Sequence, residues 1–302
     1  MLIKASITQF RQERPRYSFY RLATIGWANP LLRHTLPLLG ELPHQEFLVD
    51  LSRVELIDSF GLTYLAACLD RWKSDDRKVL VRVPQIRYVS RHLRDTGLYE
   101  SVGLTERVLR RQAARGHVDL VHLQTLEPLF VDTLLDYLEP ARRFAPGLRP
   151  SMRMSLLELV QNFAEHSQSK FGAWAAGQKY RDRITLCLLD LGQGIPNSLR
   201  TVGRYQRYDD PSLIELASEE GVSAVGFSRG LGLATIRRFV RVNGGVMTII
   251  SGKGRVRFQP DRRAIRGSID ANFPGTAVFL SLLPTRRGLF RLGDEEVSDD
   301  AN

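Results

Sequence analysis

Cysteine is scarce: Cys68 and Cys187 are the only two in 302 residues, each within an apolar stretch, and no CxxC pair or Cys/His cluster with zinc-ligand spacing accompanies them. A disulfide framework and a structural zinc site are therefore excluded as sources of stability, and a reducing, cytosolic setting is the expectation. Long apolar runs are missing too. The most apolar stretches have strand length and are broken by Asp, Arg or Glu, well short of the roughly 20 residues that cross a bilayer, so no membrane contact is expected. Met1 to Arg14 interrupt their apolar positions with charge before a signal-peptide core could form, and export by that route is not expected. There is no GxxxxGK[ST] phosphate loop, and no glycine cluster completes a GxGxxG.

What is present is the balance of a globular chain, 43% hydrophobic and 25% charged, long enough for two domains with cores of their own. The net charge of +10 and pI of 9.9 invite a polyanion partner. The basic residues are scattered, however, and no helix-turn-helix, zinc-finger or aromatic-basic motif accompanies them, so nucleic acid is not the expected partner. The end of the chain, Asp294 to Asp300, is acidic.

In the first half, Phe47–Leu51 reads as a buried strand and is followed by Asp58-Ser59-Phe60-Gly61. Leu62, Leu65, Ala66 and Leu69 then share one helical face, with Asp58 or Ser59 as the N-cap. A second strand, Val79–Val83, stops at Pro84, and a helix over Ile86 to Leu98 has Gly97 at its end. Strand, helix, strand, helix predicts an α/β layer with a partly parallel sheet. This order, with Asp-Ser-Phe-Gly at the strand-to-helix turn and Asp95-Thr-Gly-Leu98 after the next helix, resembles the STAS domain of bacterial anti-sigma-factor antagonists over about residues 1 to 105. The resemblance makes Ser59 the candidate phosphoacceptor, on a helix N-terminus whose dipole tolerates a dianion. The family's common second Ser or Thr is Phe60 here. Read from the residues alone, Asp58 and Ser59 are a helix cap.

Residues 106 to 150 connect the halves: Arg107–Arg115 is a basic helical stretch broken by Gly116, Phe130–Leu138 reads as a helix, and Pro146 and Pro150 mark a turn. The division is placed near Gly116, giving a first domain over 1–115, a second over 116–288 and an acidic tail over 289–302.

In the second half Leu156, Leu159, Val160 and Phe163 form an apolar helix face, with Glu158, Asn162 and His166 as a polar stripe. A strand, Ile184–Leu189, delivers Asp190-Leu-Gly-Gln-Gly194; Gly226-Phe-Ser-Arg-Gly-Leu-Gly-Leu233 opens a helix; and Pro274-Gly275-Thr276 enters a strand over Ala277 to Leu283. In this order and spacing the four segments resemble the N, G1, G2 and G3 boxes of the GHKL (Bergerat-fold) ATPases, over roughly residues 120 to 285. The implied fold is an α/β two-domain chain, a STAS-like domain followed by an α/β sandwich that binds ATP.

The resemblance assigns roles. Asp190 would accept a hydrogen bond from the adenine amino group, which ATP has and GTP lacks at that position. Gly192 and Gly194 would let the loop lie against base and ribose. Gly230, Leu231 and Gly232, at the start of the helix bearing Ile236, Phe239 and Val240, would turn backbone amides toward phosphate. Ser228 and Arg229 would add donors, and Thr276 would reach the adenine. Asn162 would offer an amide oxygen to Mg²⁺, and Glu158 would serve as general base. His166 either orients Glu158 or finishes its helix. Residues 197–229, with Tyr205, Tyr208, Asp209-Asp210-Pro211 and a helix over Ser212–Glu219, would form a mobile lid. Singly, these residues are also a tight turn, a helix start, an edge-strand threonine and a surface carboxylate.

Two functions follow: an Mg-ATP-dependent serine protein kinase of the partner-switching kind, acting on Ser59 or on a serine of another STAS or signalling protein, or an ATPase switch that controls a protein interaction without phosphorylating protein. Structural ATP binding is a third, and a homodimer is compatible with each. A histidine kinase built on His122 is disfavoured, because Pro140, Pro146 and Pro150 interrupt the short path to Glu158.

Overall fold

The structure, a computed structural model, describes residues 16–18, 21–22, 46–101, 103, 117–124, 128–138, 144–163, 169, 171–222 and 232–283. In the first half the strands β1 (Arg16–Ser18), β3 (Glu46–Asp50) and β5 (Lys78–Arg82) pair in parallel in the order β1-β3-β5, while β2 (Arg21–Leu22) pairs with β4 (Leu56–Ile57). Helix α1 (Ser59–Ser74) starts where the sequence predicts, and the cap is Asp58: its Oδ1 accepts the Gly61 N–H at 2.8 Å. The second predicted helix is split into α2 (Arg87–Asp95) and α3 (Leu98–Ser101) by Gly97, whose φ of 93° reverses the chain.

The second half is a five-stranded sheet, entirely antiparallel, in the order β6-β7-β8-β10-β9. Its strands are β6 (His117–Leu123), β7 (Ala173–Lys179), β8 (Ile184–Asp190), β9 (Val246–Phe258) and β10 (Ile265–Leu282). Helices α4 (Pro128–Leu138), α5 (Leu148–Gln161) and α8 (Gly232–Val242) pack on one face. Helices α6 (Gly194–Arg200) and α7 (Asp210–Ala217), joined through a 3₁₀ turn at Gly203–Tyr205, lie against β9 and β10.

Strand β8 shows how the layers are made. Every one of its residues is buried, and period-2 alternation divides them. Ile184, Leu186 and Leu188 enter the core beneath α4, α5 and α8, whereas Cys187 and Leu189 enter the core shared with α1. That second core runs from Val49, Phe60 and Trp72 in the first half to Trp174, Ile250 and Ala277 in the second. The division near Gly116 thus falls between two sheets, and one hydrophobic core crosses it. Covered by strands on both sides, α1 is buried without a break from Ser59 to Leu69, the pattern of a helix with no solvent face.

The structure adds to the sequence reading at three places. Residues 117–123, which the sequence places in the connection, form the edge strand β6, and β7 and the long β9 are strands that the sequence pattern does not reveal. The lid over 197–229 is, through residue 222, a packed helical segment: Asp209 caps α7 by accepting the Ser212 N–H, and Leu213 and Ile214 have no exposed surface. Asp210 binds the Arg200 guanidinium and accepts the Lys253 N–H at 2.7 Å, tying this segment to β9. The basic stretch 107–115 and the tail 289–302 lie outside the described residues.

Candidate functional site

Asp190 ends β8 in phase with Ile184, Leu186 and Leu188, so its carboxylate belongs to the helix side of the sheet. It is 3% exposed, with Oδ1 accepting the Gly192 N–H at 2.6 Å and Oδ2 accepting the Thr276 N–H at 3.1 Å. Burial pushes its pKa up to about 8, against the two backbone hydrogen bonds that favour the charged form. A buried acid with acceptor lone pairs and a neutral-range pKa is equipped to meet one polar group of a ligand.

The turn before β10 closes on this carboxylate. Gly275 has φ 84°, and a Cβ there would stand 2.3 Å from the Asp190 backbone oxygen and 2.6 Å from its Oδ1. Only glycine admits that approach. Gly194, at φ 76°, leaves the same kind of room for Gly275 O and Ser251 Oγ, at 2.6 and 2.7 Å from its missing Cβ. Ser251, fully buried, donates to Gly275 O at 2.6 Å, accepts the Ile195 N–H at 2.9 Å and lies 3.1 Å from Thr276 Oγ1. Asp190, Gly192 and Gly194 thus form one cluster with Thr276, which is 86 residues beyond Asp190 in the sequence.

A second group forms where α8 begins. A Cβ on Gly232 would sit 3.0 Å from Ser155 O and 3.4 Å from both Cβ and Cδ of Glu158. The glycine therefore lets the helix start press onto one turn of α5, and the half-buried Glu158 stands beside the positive end of α8. Asn162, the exposed C-cap of α5, follows one turn later, where the helix widens into a π turn over residues 162 and 163. Ser228, Arg229, Gly230, Leu231 and His166 lie outside the described residues.

Ser59 is elsewhere. It is fully buried, and its hydroxyl donates to Thr185 Oγ1 at 3.0 Å. Thr185 alternates with the residues that face α4, α5 and α8, as Cys187 does, so the sheet stands between Ser59 and Glu158. The Ser59 hydroxyl therefore cannot meet the Glu158 carboxylate while α1 is docked. Ser251 and Gly275 are cluster members without an assigned role in the sequence reading; Pro274-Gly275-Thr276 was legible as a motif, whereas nothing in Ile250-Ser251-Gly252 separates this serine from any strand-end hydroxyl.

No protein-family model, curated protein or solved structure matches the chain. Among the described residues, no helix is long and apolar enough to cross a membrane, and no three His, Cys, Asp or Glu side chains gather as a metal site. Magnesium coordination through one amide oxygen, solvent and phosphate lies outside such a cluster.

Proposed function

We propose that the chain is an ATP-binding regulatory protein in which a GHKL-type nucleotide site, working with Mg²⁺, is joined to a STAS-like module and governs a protein interaction. The observation that carries this reading is the buried Asp190 carboxylate held against the Gly275-Thr276 turn. It gives an acceptor, closely approached by backbone, where an adenine amino group would be read. Glu158 beside the start of α8 supports the phosphate end: the helix terminus offers positive potential, and the carboxylate is near enough to orient a water or hydroxyl. Asn162 would supply an oxygen to the cation. Within this reading the ATPase switch stands ahead of a kinase acting on its own Ser59, because the docked α1 and the intervening sheet keep that serine from Glu158. A kinase acting on a serine of another protein is the second reading, favoured by the Glu158–Gly232 juxtaposition.

Calorimetry with Mg-ATP, with released phosphate assayed in parallel, tests it. Wild type is expected to bind, Asp190→Ala to lose binding, and Glu158→Ala to bind while releasing little phosphate. Equal binding by wild type and Asp190→Ala would remove the base-reading role and the proposal with it.

A further inference from the structure

A hydroxyl group has one hydrogen to give and two lone pairs to accept with. At Ser251 all three are engaged. The partner at 2.6 Å is the Gly275 carbonyl, which cannot donate, so the Ser251 hydrogen goes there. The Ile195 N–H at 2.9 Å takes one lone pair. The remaining neighbour is Thr276 Oγ1 at 3.1 Å, a contact in which the geometry alone permits either donor. Since the Ser251 hydrogen is already committed, Thr276 must donate. Its oxygen then has no hydrogen left for a ligand and presents lone pairs only.

We propose that Ser251 is a positioning residue that sets the polarity of the Thr276 hydroxyl and thereby makes the Asp190–Thr276 end of the site an acceptor-only reader of an exocyclic amine. This rests on reading the site as a purine-nucleotide pocket and deepens it, because it names what chooses between an amino and an oxo group on the base. Thr276 lies on the same side of the sheet as Asp190: it pairs in register with Ser251, and its neighbour Ala277, which points the other way, enters the core shared with α1. Ser251 itself has no exposed surface and a full complement of partners, so it acts through Thr276 and not by touching a ligand. The rigidity is local and built: Gly194 and Gly275 both take positive φ, and side chains there would strike this network.

The test compares affinities for ATP and for inosine triphosphate, whose 6-oxo group is an acceptor where ATP has donors. Above about pH 8, where Asp190 is ionised, wild type is expected to prefer ATP by about 100-fold, because a 6-oxo group would then face acceptors with no hydrogen between them. Ser251→Ala frees the Thr276 hydrogen to turn toward the ligand, and the preference is expected to fall about tenfold. Thr276→Val should lower the preference comparably, Thr276→Ser should keep it, and adding Ser251→Ala to Thr276→Val should change it no further. Loss of ATP and inosine triphosphate affinity by the same factor in Ser251→Ala would make Ser251 a strut and overturn the proposal. So would an undiminished effect of Ser251→Ala in the Thr276→Val background. If Ser251→Ala does not fold, an unchanged preference in Thr276→Val overturns it equally. Wild type that binds neither nucleotide would instead sink the purine-site reading on which the proposal stands.

Discussion

Ser59 Oγ donates to Thr185 Oγ1 at 3.0 Å, and Thr185 passes its own hydrogen to Gln178 O at 3.3 Å, so the residue expected to accept phosphate is the first member of a buried hydrogen-bond chain between the two halves. Thr63 repeats the pattern one turn later, its hydroxyl 3.1 Å from Cys187 Sγ. A serine in this position is a docking contact.

Incubation of the full chain with Mg-ATP is therefore expected to leave Ser59 unmodified, as read by intact mass and phosphopeptide analysis. Ser59→Ala should cost about 1 kcal/mol, since Thr185 keeps its own acceptor. Ser59→Asp should cost about 3 kcal/mol or more, because it places a charge among buried groups with no cation to meet it. Urea midpoints at constant slope distinguish the two. Phosphate found on Ser59 would mean that α1 leaves the sheet during the reaction.

Asp190 predicts a pH dependence with a definite sign. Its pKa of about 8 in the fold lies above the 3.8 of the free side chain, so the folded state holds a proton that the unfolded state has released. The stability it contributes is complete below about pH 4 and is lost as pH rises toward 8. Binding runs the other way: a base amino group needs the ionised carboxylate, so ATP affinity should climb by up to roughly tenfold per unit until about pH 8 and level off above. Proton release on binding, seen by calorimetry in buffers of different ionisation enthalpy, checks this. Asp190→Asn should flatten both profiles.

Gly275→Ala tests the closeness of the turn. Its Cβ would have to occupy space 2.3 Å from the Asp190 carbonyl oxygen at a φ of 84°, and a loss of roughly 2 to 3 kcal/mol is expected together with loss of nucleotide binding. Gly203→Ala, where nothing lies within 4 Å, serves as the control and should be neutral. Thermal unfolding of both variants, followed by ATP titration, measures the contrast.

The parts of this structure legible in the sequence are those in which local chemistry decides. Asp58 caps α1 because an extended aspartate can accept the Gly61 N–H. The i, i+3, i+4 spacing after it foretells the helix, and Ile184–Leu189 reads as a strand from an apolar run interrupted only by Thr185. Strand β7 does not, since Ala173-Trp-Ala-Ala-Gly-Gln-Lys179 carries residues of low strand propensity that fit only because the space between β6 and β8 is narrow: a Cβ on Gly177 would meet Leu186 at 2.6 Å. Strand β9 hides in a Gly- and Arg-rich segment that pairs with β10 through two irregularities in register. The glycine boxes could be named, yet that Ser251 would be their common partner depends on contacts between residues 56 and 25 positions apart. The bond from the Lys253 N–H to Asp210, which ties the segment over 197–222 to β9, is likewise tertiary and leaves no local signature.

The halves also meet through aromatic rings, and these run to the site. Phe60 stacks on Tyr64 with centroids 5.8 Å apart, and Tyr64 lies 5.9 Å from Phe273, two residues before Gly275. Leu191, between Asp190 and Gly192, belongs to the same buried cluster. Leu191 and Phe273, on the two backbone segments that meet at Asp190, thus belong to the core that α1 shares. Phe273→Leu keeps the site apolar while removing the ring contact, worth about 1 kcal/mol beyond its area. It is expected to weaken ATP binding several-fold although residue 273 is on the opposite side of the strand from Thr276. Linkage requires the converse: ATP should slow hydrogen exchange of α1 amides in wild type, and less so in Phe273→Leu. Unaltered ATP affinity in this variant, with α1 exchange indifferent to nucleotide, would leave the first half as a cover for the sheet and nothing more.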